Sequence, residues 1–180
     1  ATTEIYTLSL HDALPILSGT QTLCHRRRMI QRKPLTPERA LVRAEELCVR
    51  AERSSDEIMK KLRQWGLTAT EAEKIKASLI QRRFIDDRRF CEAFVRDKVN
   101  FARWGRRKIA MALYANGVDR DISAEVLALI DMERYEENLR HIMDVKRRSI
   151  VGPDTFEGRT KLFRFAVSRG FEPELIKKFI

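Results

Sequence analysis

The sequence predicts an all-α protein made of three tandem three-helix repeats in an elongated array. Charged residues make up 34% of the 180-residue chain, which holds only 7 Gly and 5 Pro. Such a composition is typical of helical proteins. Apolar residues recur at helical spacing between polar helix starts and glycine stops. Three of those stops, Gly66, Gly117 and Gly170, lie 51 and 53 residues apart, which indicates an internal repeat.

Apolar residues occupy the same positions around each of these glycines. Eight positions before them stand Ile58, Ile109 and Leu162. Four before stand Leu62, Leu113 and Ala166. Directly after them stand Leu67, Val118 and Phe171, and nine after stand Ile75, Val126 and Phe179. We therefore predict core positions of three repeats at residues 36–85, 86–131 and 132–180.

The chain before the repeats has a different character. Residues 1–25 contain no Lys or Arg, and their section EIYTLSLHDALPI resembles a translated sequencing-adapter fragment. A signal peptide would need a positive start and an unbroken apolar stretch. We expect residues 1–25 to be a non-native or disordered leader. Residues 26–35, which begin Arg-Arg-Arg, are predicted to form a flexible basic arm.

Three helices are predicted in the first repeat from their start signals. Thr36 precedes Pro37, a common first helical residue. Ser54–Glu57 reads as a capping box for the second helix, and Thr70 with Glu73 as the cap of the third. The side chains expected in the core of the second and third helices are Ile58, Leu62, Trp65, Ile75, Leu79 and Ile80.

The second repeat begins with Asp86 and Asp87, which suit the N-terminus of a helix. A second helix is expected from about Arg106 to Asn116, with Gly117 ending it in a left-handed conformation. The predicted core side chains include Phe90, Phe94, Phe101, Ile109, Ala112 and Leu113. In the third repeat, Asp154–Glu157 is expected to restart a helix after a longer connection.

The basic turn before Ile109 is unusual. Its first helical residues are Arg106, Arg107 and Lys108, with no carboxylate among them, although a helix start favours anions. A phosphate docked at that helix start would explain the cations. A solvated, screened cluster is the alternative. Trp104 could stack on a base or a partner, but packing against the core is the expected role of an aromatic beside a glycine turn.

Positive charge recurs along the predicted middle helices, and the chain carries a net charge of +10. Such a charge points to nucleic acid or an acidic protein surface. Any amphipathic helix also exposes charges, so a face without function is the alternative. The cations are Lys60, Lys61 and Arg63, then Arg106, Arg107 and Lys108, then Arg159, Lys161 and Arg164.

The residues of most enzymes and metal sites are missing from the sequence. Three cysteines without CxxC spacing and three scattered histidines predict no metal site and no cofactor. Neither a phosphate-cradling Gly-rich loop nor a nucleophile with a positioned base is found, so we expect no catalytic activity. Cys48 and Cys91 fall in apolar stripes, which favours reduced thiols and the cytoplasm. No apolar run approaches the ~20 residues of a spanning helix.

Residues 36–131 resemble the first and second repeats of the RecX family of bacterial recombination regulators. The resemblance rests on Leu47 and Arg50 and on three stretches that follow them: Arg53-Ser54 leading to Ile58 through Leu62, Phe84-Ile85-Asp86-Asp87 followed by Arg89-Phe90, and Trp104-Gly105 followed by Arg106-Arg107-Lys108-Ile109. Arg106 stands where the family often has Pro. The third repeat resembles the family only in pattern.

The resemblance implies a non-catalytic, all-helical protein that binds RecA. RecX-like proteins lie along the groove of the RecA filament on DNA and damp its ATPase and strand-exchange activities, which regulates homologous recombination and the SOS response. We expect a monomer that binds DNA weakly and without sequence preference. The predicted contacts are Arg103, Trp104, Arg106, Arg107 and Lys108, then Lys60, Lys61 and Arg63, then Arg88, Arg89, Arg96 and Lys98.

Two other functions fit the same pattern. Each unit has the size of a helix-turn-helix, so a DNA-binding transcription factor is the main alternative. The middle helices lack the Asn, Gln or Arg set on one face that would read bases. A general scaffold without a nucleic-acid role would leave the basic faces idle.

Overall fold

The computed structural model describes residues 34–180, and every regular element in that range is a helix, which confirms the all-α prediction. The predicted leader 1–25 and most of the basic arm 26–35 lie outside the described residues. The helices are α1 Pro37–Arg50, α2 Ser55–Gln64, α3 Ala69–Gln81, α4 Asp87–Asn100, α5 Arg106–Ala115, α6 Arg120–Ala128, α7 Met132–Arg147, α8 Phe156–Ser168 and α9 Pro173–Ile176. A short 3₁₀-helix, Lys177–Phe179, follows α9.

The helices bury three successive cores, one for each set of three helices. The glycine that follows each middle helix has a positive φ, +87° at Gly66, +72° at Gly117 and +91° at Gly170. The predicted positions before and after these glycines are buried in all three copies, except that Phe179 is half-buried. The repeat register read from the sequence is therefore confirmed.

The start of α3 differs from the prediction. Thr68 caps the helix: its hydroxyl accepts from the Glu71 N–H at 3.3 Å, and the Glu71 carboxylate accepts from the Thr68 N–H at 2.8 Å. The predicted pair, Thr70 with Glu73, has the same Thr-x-x-Glu spacing. The earlier pair is used because Leu67, buried directly before it, fixes the chain there.

Two side chains expected in the core are on the surface. Ile80 is 47% exposed, since it lies about 100° around α3 from its buried neighbour Leu79. Phe101 is 82% exposed, because it follows the last turn of α4 and points away from the core stripe that ends at Val99. The predicted burial of these two residues is wrong. Phe94 is half-buried and packs 5.7 Å from Phe90, measured between ring centroids.

A similar hydrogen bond recurs at the end of each middle helix, and two of the three bonds connect neighbouring repeats. The carbonyl of the residue before each turn glycine accepts a hydrogen bond from the segment that precedes it in the array. The three bonds run from Leu35 N to Trp65 O (2.9 Å), from Ser54 Oγ to Asn116 O (2.7 Å) and from Gly105 N to Arg169 O (2.8 Å). We call the Ser54–Asn116 contact, between the first and second repeats, the first joint, and the Gly105–Arg169 contact, between the second and third, the second joint. Each joint satisfies a helix-end carbonyl that would otherwise have no partner.

The joint between the second and third repeats brings two backbones into contact. A Cβ atom on Gly105 would lie 2.1 Å from the carbonyl carbon of Gly170. A Cβ on Gly170 would lie 2.4 Å from Cβ of Lys108. Neither side of this joint has room for a side chain.

We expect Gly105→Ala to destabilise the protein by about 2–3 kcal/mol, since the added methyl group overlaps backbone atoms that cannot move aside. Gly105 has φ −77°, a value that alanine adopts freely, so backbone strain does not contribute to the loss. Urea denaturation measures it, and amide exchange should rise most in α7–α9. Ala77→Ser, at an exposed position of α3, is the control, with a change below about 0.5 kcal/mol. An unchanged midpoint for Gly105→Ala would contradict the close approach.

Candidate functional site

The turn between α4 and α5 places the first group of predicted contacts. Arg103 has φ +50°, and the Trp104 N–H donates to the Lys98 carbonyl at 3.0 Å. The bond spans six residues, one more than the corresponding bond of a Schellman motif, and Arg103 adopts the left-handed conformation that glycine usually supplies in such a turn. A Schellman motif ends α3, where Arg83 has φ +59° and Phe84 N donates to Leu79 O. Both turns therefore carry backbone strain in an arginine.

Trp104 lies at the centre of the cations in this turn. Its ring is half-buried and packs against the second core. The Lys108 ammonium lies 4.4 Å from the ring centroid and the Lys98 ammonium 5.6 Å. Both distances suit cation–π attraction. Trp104 thus packs as an aromatic beside a glycine turn should, and it also gathers two positive charges at one place.

The start of α5 is covered by the third repeat. The Arg106 N–H donates to the Tyr135 hydroxyl at 2.8 Å, and the Arg107 N–H donates to the Gly170 carbonyl at 3.0 Å. A phosphate docked at this helix start would need these same amides. The predicted phosphate site at the backbone of α5 is therefore wrong in the folded chain. The side chains of α5 remain candidate contacts.

Tyr135 connects the second and third repeats through a buried hydrogen-bond chain. Its hydroxyl accepts from Arg106 N and donates to Oε2 of Glu172 at 2.8 Å. Burial raises the pKa of Tyr135 well above its ordinary value of 10.0, and the Glu172 carboxylate raises it further. The Arg106 guanidinium lies 5.0 Å from the Tyr135 ring centroid. Arg106 is half-buried, so this predicted contact has a structural role at the joint.

Four of the other predicted cations each form an ion pair with a nearby carboxylate. The ion pair of Arg89 connects two repeats, since Glu52 follows α1 and Arg89 lies in α4. Exposed pairs of this kind contribute little stability, but they reduce the charge that is available to a partner. The pairs are Lys60–Asp56 at 2.6 Å, Arg88–Glu125 at 2.6 Å, Arg89–Glu52 at 2.6 Å and Lys98–Asp97 at 2.7 Å.

The remaining predicted cations have no ion pair among residues 34–180. They are Lys61, Arg63, Arg96, Arg103, Arg107 and Lys108. Lys61, Arg63, Arg96 and Arg107 are exposed, whereas Arg103 and Lys108 are half-buried beside Trp104. The structure thus gathers Lys98, Arg103, Trp104 and Lys108 at one turn. It leaves Lys61 and Arg63 on α2, and places Arg96 on α4 in a groove beside Val126 and Arg134.

Sequence reasoning missed the role of Asp87 at the first joint. Its two carboxylate oxygens accept from the Ser55 N–H at 2.8 Å and from the Ser55 hydroxyl at 2.6 Å. Asp86 alone caps α4, accepting from the Arg89 N–H at 3.0 Å. A second carboxylate at a helix start that needs only one cap was the signal available in the sequence.

The described part of the chain, residues 34–180, contains no group of three or more His, Cys, Asp or Glu side chains that could hold a metal ion. Cys91 is buried and Cys48 half-buried, and both thiols are free. Burial raises the pKa of each thiol. No helix in this range is both long enough and apolar enough to cross a bilayer.

Comparison with known proteins identifies the family. Residues 86–127 match the second three-helix domain of RecX, and residues 133–180 match the third. A regulatory protein RecX of Stenotrophomonas maltophilia is 32% identical over 139 residues, which cover 76% of this chain and 82% of that protein. The chain belongs to the RecX family. A regulatory protein RecX of Clostridium botulinum (strain Eklund 17B) is 27% identical over 154 residues, covering 82% of this chain and 72% of the relative.

Solved RecX structures share the fold. The crystal structure of RecX from Lactobacillus salivarius superposes with a TM-score of 0.70 at 21% identity, covering 79% of this chain and 93% of that one. A second crystal structure of a regulatory protein RecX gives 0.71 at 20% identity, covering 79% and 72%. The predicted helical repeat array is confirmed by this likeness.

We expect Tyr135→Phe to lower stability by about 1–3 kcal/mol, because it leaves the Arg106 N–H and the Glu172 carboxylate without their partner. The folded pKa of Tyr135 is raised, so its contribution is complete below the unfolded pKa of 10.0 and is lost as pH rises above it. Urea denaturation at pH 7 and at about pH 11 measures both effects.

The control for this variant is Tyr114→Phe, since Tyr114 is 65% exposed. It should unfold like the wild type at both pH values. The free energy of unfolding of the wild type should fall more between pH 7 and about pH 11 than that of Tyr135→Phe. An equal fall in the two proteins would contradict a protonated, hydrogen-bonded Tyr135.

Arg103→Gly and Arg83→Gly should each raise stability, by about 0.5–1 kcal/mol, because glycine adopts positive φ without the Cβ clash. Thermal unfolding of the two variants measures the gain. Lys74→Gly, at an exposed position in the middle of α3, is the control and should lower stability by about 1 kcal/mol. A loss of stability in Arg103→Gly would show instead that the arginine side chain holds the turn.

Proposed function

We propose that this protein binds RecA and its nucleoprotein filament and modulates them, mainly by inhibiting ATP hydrolysis and strand exchange. It thereby regulates DNA repair by homologous recombination and the SOS response. It acts in the cytoplasm as a monomer, without catalytic activity or a cofactor of its own. Membership of the RecX family, whose relatives are named regulatory proteins, is the observation that carries the proposal.

Exposed cations on successive middle helices support this function. Lys61 and Arg63 on α2 and Arg107 on α5 are exposed, and none has an ion pair among residues 34–180. In the third repeat, Arg159, Lys161 and Arg164 on α8 are exposed as well. Unpaired cations suit the phosphates and acidic loops of a filament on DNA. Their contact with phosphate would be weak, salt-sensitive and independent of sequence.

The repeated joints also support a filament as the partner. They connect the middle helices of successive repeats in one register, so equivalent faces recur along the chain. A filament presents equivalent sites at regular intervals on neighbouring protomers. Three similar units held in register are suited to contact more than one protomer at a time, which strengthens binding without new types of contact.

The exposed residues of α3 and α6 argue against the alternative, a sequence-specific transcription factor. In a helix-turn-helix the N-terminal part of the last helix reads the bases. The corresponding part of α3 exposes Glu73 and Lys74, and that of α6 exposes Asp121 and Glu125. Carboxylates at these positions would repel DNA phosphates, and neither helix start presents an amide side chain that could read a base.

The proposal is tested by DNA-dependent ATP hydrolysis of the host's RecA, measured with the wild type and with Lys61→Ala/Arg63→Ala/Arg107→Ala. These exposed side chains make no contact at the joints, whereas Arg106 and Lys108 are half-buried there. We expect wild-type protein to inhibit at substoichiometric amounts. The triple variant should need about tenfold more protein, since it loses three phosphate or carboxylate contacts.

The control removes the same charge elsewhere. Arg39→Ala/Lys74→Ala/Arg148→Ala changes three exposed cations outside the middle helices and should inhibit like the wild type. Equal weakening of both variants would mean that net charge alone drives binding. If RecA is unaffected while the wild type shifts one short duplex selectively, the transcription-factor alternative is correct.

A further inference from the structure

The outer face of α5 carries exposed apolar side chains. Arg107, Ala110, Met111 and Tyr114 follow the i, i+3, i+4, i+7 spacing of one helix face. Met111 is 73% exposed and Tyr114 is 65% exposed. The core of the second repeat uses the opposite face of the helix, where Ile109 and Leu113 are fully buried. The outer stripe is therefore available to a partner.

The other two repeats have different residues at these positions. Counted from the turn glycines, Met111 corresponds to Lys60 in α2 and to Arg164 in α8, both exposed cations. Tyr114 corresponds to the exposed Arg63 in α2 and to Val167 in α8. Only in α5 are both positions of the register apolar. Solubility favours charge at such sites, so the departure indicates a contact.

A groove runs beside this stripe, between α5 and α6. Its floor is apolar and is formed by Ala110, Ala124, Leu127 and Ala128. At one end it is lined by the side chains of Arg106 and Arg107. At the other end the Arg120 guanidinium lies 5.3 Å from the Tyr114 ring centroid. We call this groove with Met111 and Tyr114 the α5–α6 face.

The charges around the α5–α6 face are mainly positive. Of the nearby carboxylates, Glu125 pairs with Arg88 on α4 at 2.6 Å. Asp121 lies three residues before Ala124, on the groove side of α6. Asp119 caps the start of α6 beside Arg120. These two carboxylates lie against the three guanidinium groups of Arg106, Arg107 and Arg120, so the face keeps a positive charge. The complementary partner is acidic at both ends and apolar between them.

We propose that the α5–α6 face docks a helical segment of the partner protein that carries apolar side chains between two acidic residues. This inference rests on the proposed function, so that the segment belongs to RecA. The apolar floor provides no donors for phosphate oxygens, which favours a protein segment over nucleic acid. Arg107 and Tyr114 are seven residues apart, about 10 Å along the helix axis. Carboxylates about two turns apart on the docked segment would match that span.

The test measures equilibrium binding to RecA filaments on single-stranded DNA by the wild type and by Met111→Ser/Tyr114→Ser. Both side chains are exposed, so the variant should stay folded, which thermal unfolding verifies. Its affinity should fall at least about tenfold, as expected when the anchors of an interface are removed. Val49→Ser/Val145→Ser removes two side chains of 75% and 55% exposure from other helices and should change affinity less than about twofold.

Salt dependence separates an apolar contact from a charged one. The face variant should bind more weakly than the wild type at every salt concentration, with an unchanged slope of log affinity against log salt, because it removes no charge. Binding to free single-stranded DNA without RecA should be the same for both. An equal loss on free DNA would overturn the inference by showing contact with nucleic acid.

Two further outcomes distinguish this inference from the proposed function. If the wild type binds RecA filaments and the face variant binds equally well, the docking face alone is overturned. If the wild type does not bind them at all, the proposed function is overturned, and the docking face with it.

Discussion

The hydrogen bond at each joint is the interaction on which the rest of the structure depends. A helix leaves its last carbonyls and first amides without partners, and the joints satisfy such groups by joining one repeat to the next. At the second joint, Gly105 N and Arg107 N both donate to the end of α8. Because backbone meets backbone there, glycine is required on both sides of the contact. The three small cores are thereby held in a fixed register that none of them would impose alone.

This constraint decides which chemistry is left for a partner. The amides at the start of α5 are occupied by Tyr135 and Gly170, so an anion cannot use them as it would use an open helix start. Arg106 lies against Tyr135 and contributes more to the joint than to the surface. The side chains that remain available to the proposed partner point away from the joints, such as Arg107 on α5 and Lys61 on α2.

Features within a repeat could be predicted from the sequence, and contacts between repeats could not. The turn glycines and the buried residues around them follow from helical periodicity, which a single chain displays directly. The joints connect polar groups of residues about 60 positions apart, such as the Ser54 hydroxyl and the Asn116 carbonyl, and hydrophobic patterning does not report such contacts. Two predictions within a repeat were wrong for local reasons. The cap of α3 is Thr68 because the sequence offers two Thr-x-x-Glu pairs, and Phe101 is exposed because it lies just beyond the end of α4.

The three repeats can also be compared with one another, which separates surface residues required by the fold from those that indicate a function. Core positions carry similar apolar residues in all three copies, as Ile58, Ile109 and Leu162 do. An exposed position has no such constraint and favours charge, because apolar exposure risks aggregation. Met111 and Tyr114 depart from that preference where α2 carries two cations. A departure toward lower solubility in one copy is hard to explain by folding, since both side chains are largely exposed, and contact with a partner explains it directly.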